Sequence, residues 1–243
     1  MTAINVTQGL FAHQGLRAGD CLAACNFLEY IREQNNNPTL QLYIPNSSLH
    51  HTEHCVIMRD FLVENTNYVT TTPENLVDLQ VIPGTDPTFH NMYNLFGIRK
   101  DSLYQRQNIF FIEDKISIHN TKEIKKKIVI APLIDADYNY SRNWDINLIQ
   151  NMLSSFKTFD YEKIIAIKKP LNIDVGDWKY CHDYKEILTH IQECECYVGG
   201  DTGFSHLAGS LDDNKLRCYY YPKDTWGTTN PMNWKHNGKM IYY

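Results

Sequence analysis

Apolar residues recur along this chain in two rhythms. From Cys21 to about Gln34 the apolar positions Cys21, Ala24, Cys25, Leu28 and Ile31 fall three or four residues apart, the spacing of one helix face. A second helix is predicted over Glu53 to Val63. Short apolar runs predict strands at Ile4 to Val6 and at Leu40 to Ile44, the latter ended by Pro45-Asn46, with weaker strands at Leu79 to Ile82 and Ile109 to Ile112. The scheme then repeats. Strand Ile128 to Ala131 leads to a helix over Asp145 to Phe156, with Ile146, Ile149, Leu153 and Phe156 on one face, and to strand Lys163 to Ile167. Helix Tyr184 to Gln192, strand Cys196 to Val198, helix Phe204 to Leu211 and strand Leu216 to Tyr221 follow. Strands alternating with helices predict an α/β protein with parallel sheets and crossover helices, in two Rossmann-like halves facing a cleft. Ligands of such folds lie beyond the carboxyl ends of the strands.

The seam between the halves is read at Lys122-Glu123-Ile124-Lys125-Lys126-Lys127, a basic run ahead of the apolar Ile128-Val129-Ile130-Ala131, giving domains 1–121 and 122–243. Each is of ordinary size for a domain with its own core. Charge changes this picture. Residues to Thr121 carry 7 basic and 12 acidic side chains, and those from Lys122 carry 16 of each, so the electrically balanced second half suits an anionic ligand better. The whole chain, at -5, lacks the basic excess of a general nucleic-acid binder. With 43% hydrophobic and 21% charged residues it is a folding sequence, not a disordered one. The 7 cysteines do not form paired C-x-x-C spacings, so reduced, buried thiols are expected. No apolar run of about 18 residues occurs and Met1 to Val6 lack the pattern of a signal peptide, so a cytoplasmic location is expected.

The segment with the most chemistry is Tyr197-Val198-Gly199-Gly200-Asp201-Thr202-Gly203-Phe204-Ser205-His206-Leu207-Ala208. An apolar strand runs into a glycine-rich turn and then a helix, so unpaired first-turn amides and the positive end of the helix dipole can hold a phosphate. Gly199, Gly200 and Gly203 permit a tight turn and close approach of a ligand, and Thr202 and His206 add side-chain donors. The same string also suits a purely structural turn, in which Asp201 caps the helix and His206 is an internally bonded histidine.

In its order and its strand-turn-helix setting, Val198-Gly199-Gly200-Asp201-Thr202-Gly203-Phe204-Ser205-His206-Leu207-Ala208 resembles the D-T-G-x-x-H-L-A signature of heptosyltransferase-like glycosyltransferases of GT-B architecture. The resemblance implies that Asp201, Thr202, Gly203 and His206 bind the diphosphate of a nucleotide-sugar donor. Gly15-Leu16-Arg17-Ala18-Gly19-Asp20 is similar to the family's first strand-to-helix turn, which implies Asp20 as general base for an acceptor hydroxyl. Aspartate before a helix also suits plain capping. Arg17 is a candidate contact to phosphate or acceptor, or a solvated surface residue. Ser141-Arg142-Asn143-Trp144 is similar to a third family segment and implies that Arg142 meets the donor phosphate.

The resemblance implies an inverting, metal-independent transfer from a nucleotide sugar to a surface-glycan acceptor, with no cofactor. A compact enzyme acting on modified bases of DNA is the alternative acceptor reading, and a catalytically silent nucleotide-sugar-binding module the alternative of another class. The chain departs from the family after Ile167, where Lys168-Lys169-Pro170 stands in place of a glutamate-containing ribose-binding turn. Two further patterns compete. Asp135-Ala136-Asp137 is a D-x-D tripeptide of the kind that holds a divalent metal in the GT-A architecture. His50 and His54 stand one helical turn apart, a spacing able to bind a transition metal, although a polar surface or acceptor-binding segment fits them better.

Overall fold

The structure, a computed structural model, describes residues 2–5, 16–50, 52–77, 112–113, 116–132, 144–200, 202–221, 234–235 and 238–242. The chain divides into two compact units, Met1–His119 and Asn120–Tyr243.

In the first unit β1 (Thr2–Asn5), β2 (Gln41–Tyr43), β3 (Val69–Thr70) and β4 (Asn75–Val77) form a four-stranded sheet in the order β3-β2-β1-β4, all neighbours parallel. Helix α1 (Ala18–Asn35) starts three residues before the apolar periodicity does. The reason is local: the Asp20 carboxylate accepts the Arg17 amide at 2.9 Å and closes the entry to the helix. Cys21, Leu22, Cys25, Leu28 and Ile31 are buried from this helix, and Cys55, Met58 and Leu62 from α2 (Glu53–Asn65). Asn36, in the left-handed region at φ 48°, ends α1, where asparagine is one of the few side chains that fits readily. Two buried arginines pin the helices to the strands. Arg32 donates to the Leu40 carbonyl at 2.7 Å and the Asn67 carbonyl at 2.8 Å, and Arg59 to Asn46 Oδ1 at 2.6 Å. The strand predicted at Leu79 to Ile82, and residues 109–111 of the one predicted at Ile109 to Ile112, lie outside the described residues.

The second unit contains β5 (Lys125–Ala131), α3 (Ile146–Ser155), β6 (Glu162–Ala166), β7 (Lys179–Cys181), α4 (Tyr184–Glu193), β8 (Cys194–Gly199), α5 (Gly203–Ser210), β9 (Leu216–Tyr221) and β10 (Lys239–Tyr242). Its sheet has six parallel strands in the order β10-β9-β8-β5-β6-β7. From β5 the chain builds outward through β6 and β7, then returns to the other side of β5 and builds outward through β8, β9 and β10. The strand order therefore reverses between β5 and β8. One face of the sheet packs Ile128, Ile130, Ile165, Ile167, Cys196 and Val198 against Trp144, Ile149, Leu153 and Trp178. Residues of the opposite parity, Lys127 and Tyr197 among them, meet α4 and α5. Strands β7 and β10 were not expected, because Lys179–Cys181 is short and follows a polar stretch and Lys239–Tyr242 follows the last clear apolar run.

The amino-terminal edge of this sheet is tied by charge. Lys215 and Arg217 are buried cations that reach the last carbonyls of the two neighbouring helices. Lys215 Nζ donates to Ile191 and Gln192, and Arg217 donates to Ala208 and, at 2.9 Å, to Leu211. Asp213 balances both, at 2.9 Å from Lys215 and 2.5 Å from Arg217. Beside them Lys127, only 3% exposed, lies 2.6 Å from Glu193 and 2.9 Å from His190 Nδ1, and Lys125 is 2.7 Å from Glu193. The basic run read from sequence as a seam is thus half strand: Lys125, Lys126 and Lys127 open β5.

Burial alone would push the Glu193 carboxyl up, but hydrogen bonds from Lys125 and Lys127 hold it down at about 2. A carboxyl depressed in the folded state contributes stability that is complete above its unfolded pKa, near 4.3, and is lost as pH falls through its folded value. Glu193→Gln should therefore lower stability at pH 7 by about 1–3 kcal/mol, because Lys127 loses its shortest charged partner. It should also flatten the acid limb between about pH 4.5 and 2, as read by urea denaturation at several pH values. An unchanged acid limb would remove Glu193 from the acid response.

Candidate functional site

In the second unit, the glycine-rich turn follows β8 and so stands at the carboxyl edge of the sheet, beyond the point where the strand order reverses. Such a reversal leaves a crevice, because the connections from the two adjacent strands depart in opposite directions. Helix α5 begins there. Thr202 is its cap, one residue later than the structural alternative that gave this place to Asp201. Thr202 Oγ1 accepts the Ser205 amide at 3.3 Å, and its carbonyl accepts the amides of Ser205 at 3.0 Å and His206 at 3.2 Å. The amides of Gly203 and Phe204 precede any intrahelical acceptor and are the donors that such a helix start offers an anion. Thr202, Gly203 and His206 are thereby brought onto one helical turn. Asp201 and Arg142 lie outside the described residues.

Side chains that sequence reasoning passed over fix the shape of this turn. Ser205 Oγ donates to the Gly200 carbonyl at 2.5 Å. Its single hydrogen being spent there, the 2.8 Å contact with Tyr197 is donated by the tyrosine hydroxyl. Tyr197 is fully buried, and burial raises its hydroxyl above the ordinary tyrosine range, so it stays a neutral donor. The two glycines serve this packing. A Cβ on Gly199 would collide with the Tyr197 hydroxyl and sit 2.7 Å from Ser205 Oγ, and one on Gly200 would lie 2.9 Å from Trp144 Nε1. Neither has a positive φ, so glycine is required at both by their neighbours and not by the backbone conformation. The tyrosine could have been found from strand periodicity, since Tyr197 and Gly199 share one face of β8 and the glycine leaves room for the ring.

Trp144 joins the ends of two strands, β8 and β9. It is 4% exposed, lies against Gly200, donates from Nε1 to the Tyr220 carbonyl at 3.3 Å and meets the Tyr220 ring edge-on at 5.6 Å. The Gly200 amide donates to the Ala131 carbonyl at 3.3 Å, joining the end of β5 to the turn. Arg142 precedes this fixed tryptophan by two residues in the chain.

The first unit has its own polar carboxyl edge. Leu16 pairs with Leu49 beyond β2: its amide donates to the Ser48 carbonyl and its carbonyl accepts from His50, both at 2.8 Å. Arg17 and Asp20 follow directly at the start of α1, and His54 lies in the first turn of α2. The capping expected as the alternative for Asp20 is present in the Arg17 bond, which fixes Oδ2. Of the competing metal patterns, Asp135, Ala136 and Asp137 lie outside the described residues. Among the described residues no three His, Cys, Asp or Glu side chains converge as metal ligands, and no helix is long and apolar enough to cross a membrane.

No protein-family model matches the chain, and no curated protein gives a significant match. Among solved structures, E. coli heptosyltransferase WaaC with ADP is similar over 100% of this chain and 91% of its own, with a TM-score of 0.51 and 11% identity. E. coli heptosyltransferase WaaC with ADP-2-deoxy-2-fluoro heptose is similar over 99% and 93%, with a TM-score of 0.48 and 11% identity. At such identity the likeness is one of fold: the sequence resemblance to heptosyltransferases is matched by a shared parallel α/β architecture spanning both units.

Proposed function

We propose that this protein is an inverting glycosyltransferase of the GT-B class, moving a sugar from a nucleotide-diphosphate sugar to a hydroxyl of a surface glycan. The observation that carries the reading is the strand order of the second unit, whose reversal between β5 and β8 is followed by the glycine turn and the start of α5. The fold shared with a heptosyltransferase whose structure holds ADP supports it.

In this reading the second unit binds the donor. The diphosphate rests on the Gly203 and Phe204 amides, with Asp201, Thr202, His206 and Arg142 around it. Asp20 of the first unit takes the proton of the acceptor hydroxyl as that oxygen attacks the anomeric carbon and the bond from that carbon to the diphosphate breaks. A single in-line displacement inverts the centre. The charge developing on the leaving diphosphate is met by the helix amides, with the imidazole of His206 and the guanidinium of Arg142 as further donors, so the transfer in this reading runs without a metal. Arg17, beside Asp20 in the chain, contacts the acceptor or its phosphates.

The glycan acceptor is what the resemblance to heptosyltransferases implies, with modified duplex DNA as the alternative. An enzyme that flips a base needs Lys and Arg around its site to hold the flanking phosphates. Of the candidate cations, Lys125 and Lys127 pair with Glu193 at the amino-terminal edge of the second unit's sheet, whereas Lys168 and Lys169 follow β6 at its carboxyl edge. Arg99, Lys100 and Arg106 lie outside the described residues.

Asp20→Asn keeps the size and the acceptor for the Arg17 amide but removes the base. Turnover should fall by about 10²-fold or more with donor affinity nearly unchanged, measured by nucleotide release with matched donor and acceptor. Full turnover in this variant would exclude Asp20 from the chemistry, and absence of turnover in the parent chain would favour the silent binding module. Activity should also survive a strong chelator, whereas Arg142→Ala should weaken donor binding by about 1.5–3 kcal/mol, the worth of hydrogen bonds to a charged group, as read by calorimetry. Loss of activity on chelation, restored by Mn²⁺, would move the diphosphate contact to Asp135 and Asp137.

A further inference from the structure

The candidate base of the first unit sits on a helix whose first amide is capped from another element. Helix α1 starts after Arg17, whose guanidinium offers donors but no acceptor for the amides of the first turn. The acceptor comes from α2: the Cys55 sulfur takes the hydrogen bond of the Ala18 amide, the first of α1. Thr52 completes the arrangement. It stands at the cap of α2, where a threonine hydroxyl ordinarily accepts an amide of its own helix. Here the hydroxyl makes no such bond and lies 3.0 Å from Cys55 Sγ instead. The start of α2 has thus given up its own side-chain cap, and its side chains serve the start of α1.

The platform behind this contact is itself tied down. Cys55 is buried, and one turn further along α2 the buried Arg59 donates to the Ile44 carbonyl at 3.3 Å and to Asn46 Oδ1 at 2.6 Å. The chain that leads from there into α2 also takes hold of Leu16, through Ser48 and His50 at 2.8 Å each. Residues 16 and 18 are therefore both fixed to residues 48–55, and Asp20 follows two positions later with Oδ2 on the Arg17 amide at 2.9 Å. Burial first, and the nearby Asp20 carboxylate after it, raise the Cys55 thiol above its ordinary value. The sulfur accordingly stays protonated and sets no second negative charge beside Asp20.

Resting on the reading of Asp20 as the base, we propose that the Thr52–Cys55 pair positions that base: through the Ala18 amide it fixes the turn of α1 that carries Asp20. Cys55 acts through Asp20 and is a positioning residue, not a catalytic one. A neutral sulfur suits the task, since it accepts the amide without the repulsion that a carboxylate at position 55 would exert on Asp20. A displacement of about 1 Å in a reacting group costs on the order of 10²-fold in rate, so one contact at Ala18 has a large effect on turnover.

The test compares Cys55→Ala, which removes the acceptor, with Cys55→Ser, which keeps one, in the full chain. Amide hydrogen exchange read by NMR comes first and needs no substrate. In Cys55→Ala the amides of Ala18 and of Arg17, the latter bound by Asp20, should each lose about 10-fold in protection, while the Leu42 amide of β2 keeps its own. In Cys55→Ser both should be retained. Thr52→Val, which leaves the thiol but removes its partner, should lose protection in the same direction and serves if Cys55→Ala does not fold. Nucleotide release from ADP-glucose, UDP-glucose and GDP-glucose is measured next, with water attacking the anomeric carbon, giving its proton to Asp20 and displacing the nucleoside diphosphate. Release should fall by about 10-fold or more in Cys55→Ala and return in Cys55→Ser. Adding Cys55→Ala to Asp20→Asn should change it by less than about 2-fold, because the pair acts only through the base. Unchanged Arg17 protection in Cys55→Ala, or a loss of rate that adds in full to that of Asp20→Asn, would overturn the positioning role and leave Asp20 standing as the base. Release that is absent from the parent chain, or equally fast after Asp20→Asn, would overturn the base reading and the positioning role together.

Discussion

The second unit is oriented by two buried cations. Helices α4 and α5 both end at the amino-terminal edge of the sheet, where their last carbonyls carry partial negative charge with no intrahelical donor. Lys215 answers those of Ile191 and Gln192, and Arg217 those of Ala208 and Leu211, with the Asp213 carboxylate shared between the two cations. A buried cation left without such partners would cost several kcal/mol, so the helices are held where these two side chains can reach them. With its carboxyl end anchored, α5 must present its first turn at the opposite edge of the sheet. The direction in which that turn's amides point depends on a charge arrangement one helix length away.

At the turn itself the control is steric. Tyr197 fills the space over Gly199, Ser205 links that ring to the Gly200 carbonyl, and Trp144 closes against Gly200 while holding the end of β9 through Tyr220. The start of α5 is consequently built from three strand ends at once, and a group arriving there meets donors whose directions are already set. The first unit prepares its own edge in a similar way, Arg17 and Asp20 being fixed by the pairing of Leu16 with the chain beyond β2 and by the closing of the entry to α1.

Much of this was legible in the residues. The apolar spacing of Cys21, Ala24, Cys25, Leu28 and Ile31 marked α1, and the run from Tyr197 to Ala208 marked β8, the turn and α5, because local periodicity and glycine placement act within a few residues. The strands at Lys179–Cys181 and Lys239–Tyr242 were missed because neither carries a clear apolar run of its own, and each is a strand by virtue of pairing with the edge of the sheet. The opening of β5 at Lys125, three residues ahead of the apolar run, was missed for a related reason: the burial of Lys127 depends on Glu193, far along the chain. The site shows the same division. Thr202, Gly203 and His206 could be placed on one turn from sequence, whereas Trp144 as a clasp, and the end of β6 as part of the same edge, follow only from the order of the strands.

The crowding around Gly199 also bears on how this turn can change over evolution. Its φ is one that any amino acid can adopt, so backbone strain imposes nothing at this position. What forbids a side chain is the phenol of Tyr197, both its hydroxyl and the ring carbon that bears it, together with the oxygen of Ser205. Position 199 is therefore not independently constrained; it is coupled to 197 and 205, and a lineage could acquire alanine there only after the tyrosine ring is lost or displaced and the serine rearranged. Those changes loosen the bond to the Gly200 carbonyl that shapes the entrance to α5. Drift at this glycine thus passes through a stage in which the turn is less well defined, a barrier set by the order in which substitutions arrive.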